Sequence, residues 1–416
     1  MHLRLSHALI PAILALSLPL AALAQDTPLT LRQAFAHAQE RAPALRGADA
    51  AARAADAGVE VAGLRPNPTL SIEAENVLGS GRYSGFGGAE RTVSLAVPLE
   101  LGGKRQARIN VAQAERAAAG IGLTAARADL AQRVTEAFVR LAAARRRQEI
   151  TRSALDWAER AAYVAQERVR AGKVSPIEEQ RAQVLKLGAE TRLGKSVRAL
   201  ALAQADLAQL TGDAAPAIVA PWFDTVAPMA SVEAASTGQP SLAVASTRAQ
   251  LAIANARVDA ARRDRIPDLT LTAGTRRYGD SPDKAAVLGL SIPLPLFNSG
   301  SSALRRARAE ADKAIAERDA AAIDAQQALA HAVAEVADAR AVAQTASGPA
   351  LAAAQEAARI ARLGYAEGKF PQLEMIEAER SLAEMRETAL DALTDHHLAQ
   401  VRLAWLQGSI QPIYKD

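Results

Sequence analysis

The residue types that carry most enzyme and metal chemistry are scarce in this chain. It has no cysteine and six histidines among 416 residues, which removes thiol nucleophiles, disulfide scaffolds and zinc ribbons and leaves little for a proton-transfer or metal centre. His396 and His397 are adjacent, so on a helix their side chains point about 100° apart and do not converge on one ion. His37 and His331 stand alone. Transition-metal sites need several convergent ligands, so all four read as structural or exposed, and no metal, cofactor or catalytic residue is expected. Gly79-Ser80-Gly81 and Gly85-Phe86-Gly87-Gly88 lack the G-x-G-x-x-G spacing and open no helix, so they read as a loop. Gly103-Lys104 mimics the tail of a phosphate loop, but Pro98 takes the place of its first glycine and Arg105 that of its Ser/Thr. Glu374 and Glu377 are spaced i,i+3, which puts both carboxylates on one helix face. On spacing alone that pair reads equally well as a solvated face.

Such residues must be positioned by an unusual framework. Alanine dominates the chain, while six Phe, three Trp and five Tyr are few for two ordinary globular cores. Alanine at this density suits long helices whose backbones approach closely. The 49 Lys and Arg are interleaved with 45 Asp and Glu for a net charge of +4, a solvated surface with no nucleic-acid stripe. Arg4, an apolar run from Ala8 to Leu23 broken by Pro11 and Pro19, and Ala22-Leu23-Ala24 before Gln25 make a secretory signal peptide over 1–24, cut after Ala24. No cysteine follows, so N-terminal lipidation is excluded. No later stretch is long and apolar enough for a membrane-spanning helix.

The chain then repeats itself at an offset of about 196 residues. Pro98-Leu99 answers to Pro293-Leu294, Ala114-Glu115 to Ala309-Glu310, Ala171-Gly172-Lys173 to Glu367-Gly368-Lys369, and Leu210-Thr211-Gly212 to Leu406-Gln407-Gly408. The organisation expected is a first repeat over 25–212, a linker over 213–240 with Pro216, Pro221, Pro228 and Pro240, a second repeat over 241–408, and a tail over 409–416.

Each repeat has the same internal order. A lead-in helix (about 49–63; about 242–264) is stopped by Pro66 and Pro68 or by Pro267. Two alternating strands follow, about 69–76 and 91–98 in the first copy and 268–275 and 286–293 in the second, joined by loops of a dozen or so residues. Gly102, Gly103 and Gly300 mark the turns from strand to helix. From Lys104 to Arg170 there is no proline and an apolar stripe runs through Val111, Ile121, Leu130, Val134, Phe138 and Leu141, which predicts a rod of roughly 100 Å packed in coiled-coil fashion. A turn at Gly172 with Ser175-Pro176 as cap and first residue starts the return helix. Ser301 to Leu363, the turn at Gly368 and Pro371 to Leu406 repeat the scheme, with a kink or break expected at Gly348-Pro349. Four amphipathic strands have the length to cross an outer membrane but cannot close a barrel, so they would pool between copies, eight strands from two or twelve from three. A small soluble sandwich or a pair of exposed hairpins is the alternative.

Pro66-Asn67-Pro68-Thr69-Leu70-Ser71, Glu73-Ala74-Glu75-Asn76, Gly85-Phe86-Gly87-Gly88-Ala89-Glu90 and Glu100-Leu101-Gly102-Gly103-Lys104-Arg105 together resemble the outer-membrane component of cobalt-zinc-cadmium efflux systems, the CzcC-like branch of the TolC family. The resemblance spans the mature chain. It implies a mainly α fold with a small β part: a homotrimer whose twelve-stranded barrel sits in outer-membrane lipid and continues as an α-helical tunnel through the periplasm. It further implies a periplasmic adaptor and an inner-membrane, proton-driven RND pump as partners, divalent heavy-metal cations as cargo, and no enzymatic activity. A duct for drugs or for a secreted protein, and a periplasmic coiled-coil adaptor, are the alternatives. In TolC-like channels the periplasmic end is closed by inward helices, with a carboxylate pair just after the helix–helix turn of the second repeat. The match is Gly364-Tyr365-Ala366-Glu367-Gly368-Lys369 followed by Glu374 and Glu377, which threefold symmetry would stack as two acidic rings; Tyr365 reads either as a contact to the neighbouring helix pair in the closed state or as a plain packing residue. Phe370 stands where that gate has a basic tether, and in the first repeat Glu178 is kept while Arg181 replaces the second acid.

Overall fold

The computed structural model describes residues 28–213, 217–226 and 241–414. The expected leader, its cleavage point after Ala24, and Pro216, Pro228 and Pro240 of the linker lie outside the described residues.

Two short helices open the fold. Helix α1 (Leu31–Arg41) starts from a capping box, Thr30 accepting from the Gln33 amide while Gln33 reaches back to the Thr30 amide. Helix α2 (Pro43–Gly63) begins six residues earlier than the apolar pattern suggests, because Pro43 is pre-set for the first helical position and holds Ala42 extended between the two helices. Strands β1 (Thr69–Glu75) and β2 (Glu90–Leu99) follow, then α3 (Lys104–Arg170) and α4 (Pro176–Thr211). The second half runs α5 (Leu242–Arg263), β3 (Leu269–Arg277), β4 (Lys284–Ser291), α6 (Ser301–Thr345), α7 (Leu351–Ala366) and α8 (Gln372–Leu406).

Helix α3 is unbroken over 67 residues, about 100 Å at 1.5 Å per residue. Ala107, Ala112, Ala128, Ala131, Ala158, Ala161 and Ala165 are among its buried positions, which lets the flanking helices pack close along its length. Its counterpart is not continuous. Ala346–Ala350 form a π-type turn between α6 and α7, with Gly348 at φ −98°, ψ −107°. Pro349 has no N–H to donate and its ring excludes the carbonyl four residues back, so the chain absorbs it by widening one turn.

The four strands form one antiparallel sheet in the order β1-β2-β3-β4, with the two repeats joined through β2 and β3. The β3–β4 connection is 278–283, shorter than the dozen or so residues expected, because the ladder continues to Arg277↔Lys284. At its other end β4 stops at Ser291, ahead of Pro293, which cannot donate to a ladder. The register aligns Leu70, Leu95, Ala273 and Leu288 across the sheet, and Val97, Leu271 and Leu290 in the row below, all on one face. That face is bare: Ile72 is 74% exposed and Leu288 83%. Ser71, Glu73, Glu75, Ser94, Thr270 and Thr272 lie on the opposite face.

The largest core sits at mid-rod, far from the sheet. Leu31, Ala34, Phe35 and Ala38 of α1 pack with Leu130, Val134, Phe138 and Leu141 of α3, Leu207 of α4 and Leu390 of α8. Residues 217–226 seal it: Leu29 bridges Ile218, and Phe223 is buried.

Candidate functional site

Three regions hold the side chains that sequence and packing single out. At the junction between sheet and rods, every residue of Glu100-Leu101-Gly102-Gly103-Lys104-Arg105 makes a contact, the Gly102 carbonyl accepting from Arg263 at 3.3 Å and the Gly103 carbonyl from the Ala107 amide at 3.1 Å. Arg108 Nη2 donates to Glu100 Oε2 at 3.0 Å and also to the Leu64 carbonyl at 3.2 Å. That guanidinium holds the Glu100 carboxyl below the usual carboxylate range against its partial burial. Lys104 Nζ lies 2.8 Å from Asp268, which also accepts from the Leu101 amide at 3.2 Å. Arg105 donates to the Gly63 carbonyl, satisfying the C-terminus of α2. Gly102 and Gly103 take φ 71° and 75°, and a Cβ on Gly102 would collide with the Ile266 side chain. Gly300 makes the corresponding turn at φ 70°, against the flexible Arg265. The junction is therefore a charged clamp around left-handed turns.

At the opposite end of the rods, Gly172 and Gly368 close the two helix turns at φ 66° and 71°. Arg168, in the last turn of α3, donates from Nη1 to the Tyr365 hydroxyl at 2.6 Å, and its guanidinium carbon lies 5.4 Å from the Tyr365 ring centroid. Tyr365 thus ties the second hairpin to the first within one chain. Gly364 leaves room for the Phe370 ring, which a Cβ there would strike, and its carbonyl accepts from the Lys369 and Phe370 amides at 2.8 and 3.1 Å. Glu374 and Glu377 are both exposed, Glu374 in the first turn of α8, where its charge also suits the helix N-terminus. Among the described residues neither is joined by a hydrogen bond or ion pair to Tyr365 or Arg168, which bond each other; the nearby ion pair is Arg362 with Glu379. In the first repeat Glu178 keeps one carboxylate oxygen buried without a partner.

The third region is the mid-rod belt. Trp222 stacks on Tyr414 with centroids 3.9 Å apart and planes 4° from parallel. His397 shares Nδ1 with the Tyr414 hydroxyl at 2.8 Å and Nε2 with the Phe223 carbonyl at 2.9 Å. Both His396 and His397 are buried, and desolvation lowers both pKa values, His396 to about 4 with further repulsion from His397 and Arg340. His396 has no hydrogen-bond partner at either nitrogen. His37 Nδ1 pairs with Asp213 at 2.8 Å, and His331 is exposed. Among the described residues no group of three His, Cys, Asp or Glu could hold a metal ion.

The belt, Arg168 and Asp268 escaped the sequence reading. Arg168 stands 197 residues from Tyr365, and only the repeat alignment, which sets it opposite Gly364, hinted that the two turns differ.

Long rods in two copies of one order are thus joined by a charged clamp to one four-stranded sheet with a bare apolar face. The chain belongs to the outer membrane efflux protein family, which matches residues 35–213 and 234–409. It is 33% identical over 385 residues to the cobalt-zinc-cadmium resistance protein CzcC of Cupriavidus metallidurans, covering 92% of this chain and 90% of that protein. It is 31% identical to the nickel and cobalt resistance protein CnrC of the same organism, over 78% of this chain and 77% of that one. The fold matches the outer membrane protein VceC of Vibrio cholerae with a TM-score of 0.74 at 22% identity, covering 91% of this chain and 96% of that one.

Proposed function

We propose that three copies of the chain form an exit duct through the bacterial outer membrane and across the periplasm, exporting divalent heavy-metal cations such as cobalt, zinc and cadmium. The observation that carries the duct is the sheet. Its apolar face is exposed, which is a liability in water, and β1 and β4 each leave one edge unpaired, which lipid does not tolerate. Joining β4 of one copy to β1 of the next is a head-to-tail contact that closes as a ring. Three copies give twelve strands, the number implied by the resemblance to TolC-like channels. Exposed apolar residues along the rods, among them Val184, Leu202, Ile323 and Val342, offer seams for the neighbouring copies. Sequence similarity to two metal-resistance proteins supports the cargo. The duct does no chemistry; an adaptor and a proton-driven RND pump supply substrate and energy.

The periplasmic end is the gate in this reading. Rings of Glu374 and Glu377 would concentrate cations at the mouth, and the Arg168–Tyr365 contact would hold the two hairpins of each copy together while it is shut. Tyr365→Phe removes the hydroxyl and keeps the ring, so single-channel recordings should show more frequent opening; unchanged opening would remove Tyr365 from the gate. For the cargo, deletion of the gene should lower tolerance to zinc, cobalt and cadmium and leave drug tolerance unchanged. The opposite pattern would assign the duct to drugs.

A further inference from the structure

The bare face of the sheet is apolar over most of its height and ends in a basic row. The register places Arg91 opposite Arg277 and Arg277 opposite Lys284, so three cations occupy one line across β2, β3 and β4. They share the face of Val93, Leu95, Leu271 and Leu288, at the end of the strands farthest from the rods. All three are exposed, and none makes an ion pair or side-chain hydrogen bond among the described residues. Arg276, one residue away on the other face, is held by Glu75 at 2.9 Å and Glu90 at 3.0 Å. The strand acids Glu73, Glu75 and Glu90 lie off the apolar face, whose β1 positions are Leu70, Ile72 and Ala74. A neighbouring copy that adds its β1 beside Lys284 therefore brings no counter-charge either. Asp283, next to Lys284 in the loop, is engaged with the Ser281 hydroxyl at 2.8 Å.

Like charges directly opposite one another on adjacent strands destabilise a sheet, and this row is left without internal compensation. Its height indicates what compensates it. Along β2, Arg91 stands eight residues above Leu99, about 27 Å of strand and about 20 Å of depth once tilted. That is close to the height of an outer-membrane apolar band, about 25 Å. Strands spaced about 4.8 Å apart spread the three cations over roughly 10 Å at the boundary between acyl chains and headgroups. In the leaflet away from the rods, a bacterial outer membrane presents acylated glycolipids carrying phosphates.

We propose that Arg91, Arg277 and Lys284 form a binding site for the phosphates of such an anionic glycolipid, repeated around the barrel. This rests on the membrane-embedded reading of the sheet. Basic residues at a membrane surface attract anionic headgroups additively, and two guanidinium groups also offer paired donors to phosphate oxygens.

The test is native mass spectrometry of the full chain in neutral detergent doped with diphosphoryl lipid A, with fully dephosphorylated lipid A, or with phosphatidylglycerol. The diphosphoryl form should bind at least about tenfold more tightly than either of the others. R91Q/R277Q/K284Q should lose that preference, whereas R53Q/R306Q/K313Q, which removes the same charge from helix surfaces, should keep it. Equal binding of the three lipids by the unaltered chain, or an unchanged preference in the triple strand variant, would overturn the site. Should the strand variant fail to assemble, the unaltered chain's ranking of the three lipids decides. Membrane fractionation of the same samples separates this from the duct reading: a soluble monomer defeats both, and an outer-membrane oligomer that ignores the phosphates defeats the lipid site alone.

Discussion

The two repeats follow one order, yet they divide the mechanical work unequally. The first supplies the stiff half: α3 runs unbroken for 67 residues and carries Leu130, Val134, Phe138 and Leu141 into the mid-rod core. The second supplies the articulated half. Its long helix is 45 residues, a π-type turn of five and a separate helix of 16. Moving back by the repeat offset, Gly348-Pro349 falls on Arg152-Ser153, which are plain helix. At the 195-residue spacing of Pro98/Pro293 and Ala114/Ala309, which holds ahead of the widened turn, Phe138 falls on Val333, which is exposed. Duplication gave both halves one geometry, and divergence left one long helix continuous and interrupted the other with a widened turn ahead of the helix that carries Tyr365.

That contrast can be broken most forcefully in the core. Phe138→Ala should destabilise the protein by about 3–5 kcal/mol, read as a lowered unfolding midpoint, while Val333→Ala on its exposed helix face should stay within about 0.5 kcal/mol. Similar effects at both would mean the core is shared evenly. Next, Ser153→Pro writes the second repeat's proline into α3. With no widened turn prepared for it, the cost should be about 3 kcal/mol or more; a silent substitution would show that α3 is as accommodating as its partner. The junction glycines offer a smaller contrast. Gly102→Ala meets both a left-handed backbone, costing about 1–2 kcal/mol, and the branched Ile266, whereas Gly300→Ala meets the same backbone and a movable Arg265. Thermal unfolding should rank Gly102→Ala as the worse of the two.

The smallest effect at neutral pH concerns His396, whose counterpart in the first repeat is Leu200. Its folded pKa is depressed to about 4 by burial, so the unfolded chain binds the proton more readily. The stability it contributes is full above the ordinary histidine value near 6.5 and is lost as pH falls toward about 4. His396→Leu copies the first repeat, removes two unpartnered nitrogens, and should flatten stability against pH across that window. A variant with the same slope as the unaltered protein would show that another group titrates there.

What the sequence made legible was whatever local chemistry controls. The bounds of α3 are set by the absence of proline and by Gly103 and Gly172, and a left-handed glycine is recognisable in sequence. Strand alternation found all four strands, with ends off by up to two residues where the β3–β4 ladder continued past the expected loop and where β4 stopped short of Pro293. The kink at Gly348-Pro349 announced itself, although its form, a widened turn with Gly348 off helical geometry, did not. Contacts between distant segments stayed hidden. Nothing near Tyr365 names Arg168, and nothing near His397 names Trp222, Phe223 and Tyr414, which reach it from the linker and the tail. Short α1 was missed because eleven residues with four buried positions give a weak periodic signal.

The central claim is that the open edges of this sheet close against other copies. The chain has no cysteine, so a cysteine in β1 and one in β4 report a contact between copies without background. With Ile72→Cys held fixed and each β4 position from 285 to 291 replaced in turn, oxidation of outer-membrane fractions should yield, at a register where the two edges meet, a covalently closed ring of three chains on a denaturing gel. Absence of any crosslink at every register, together with a monomeric mass in detergent, would contradict the account.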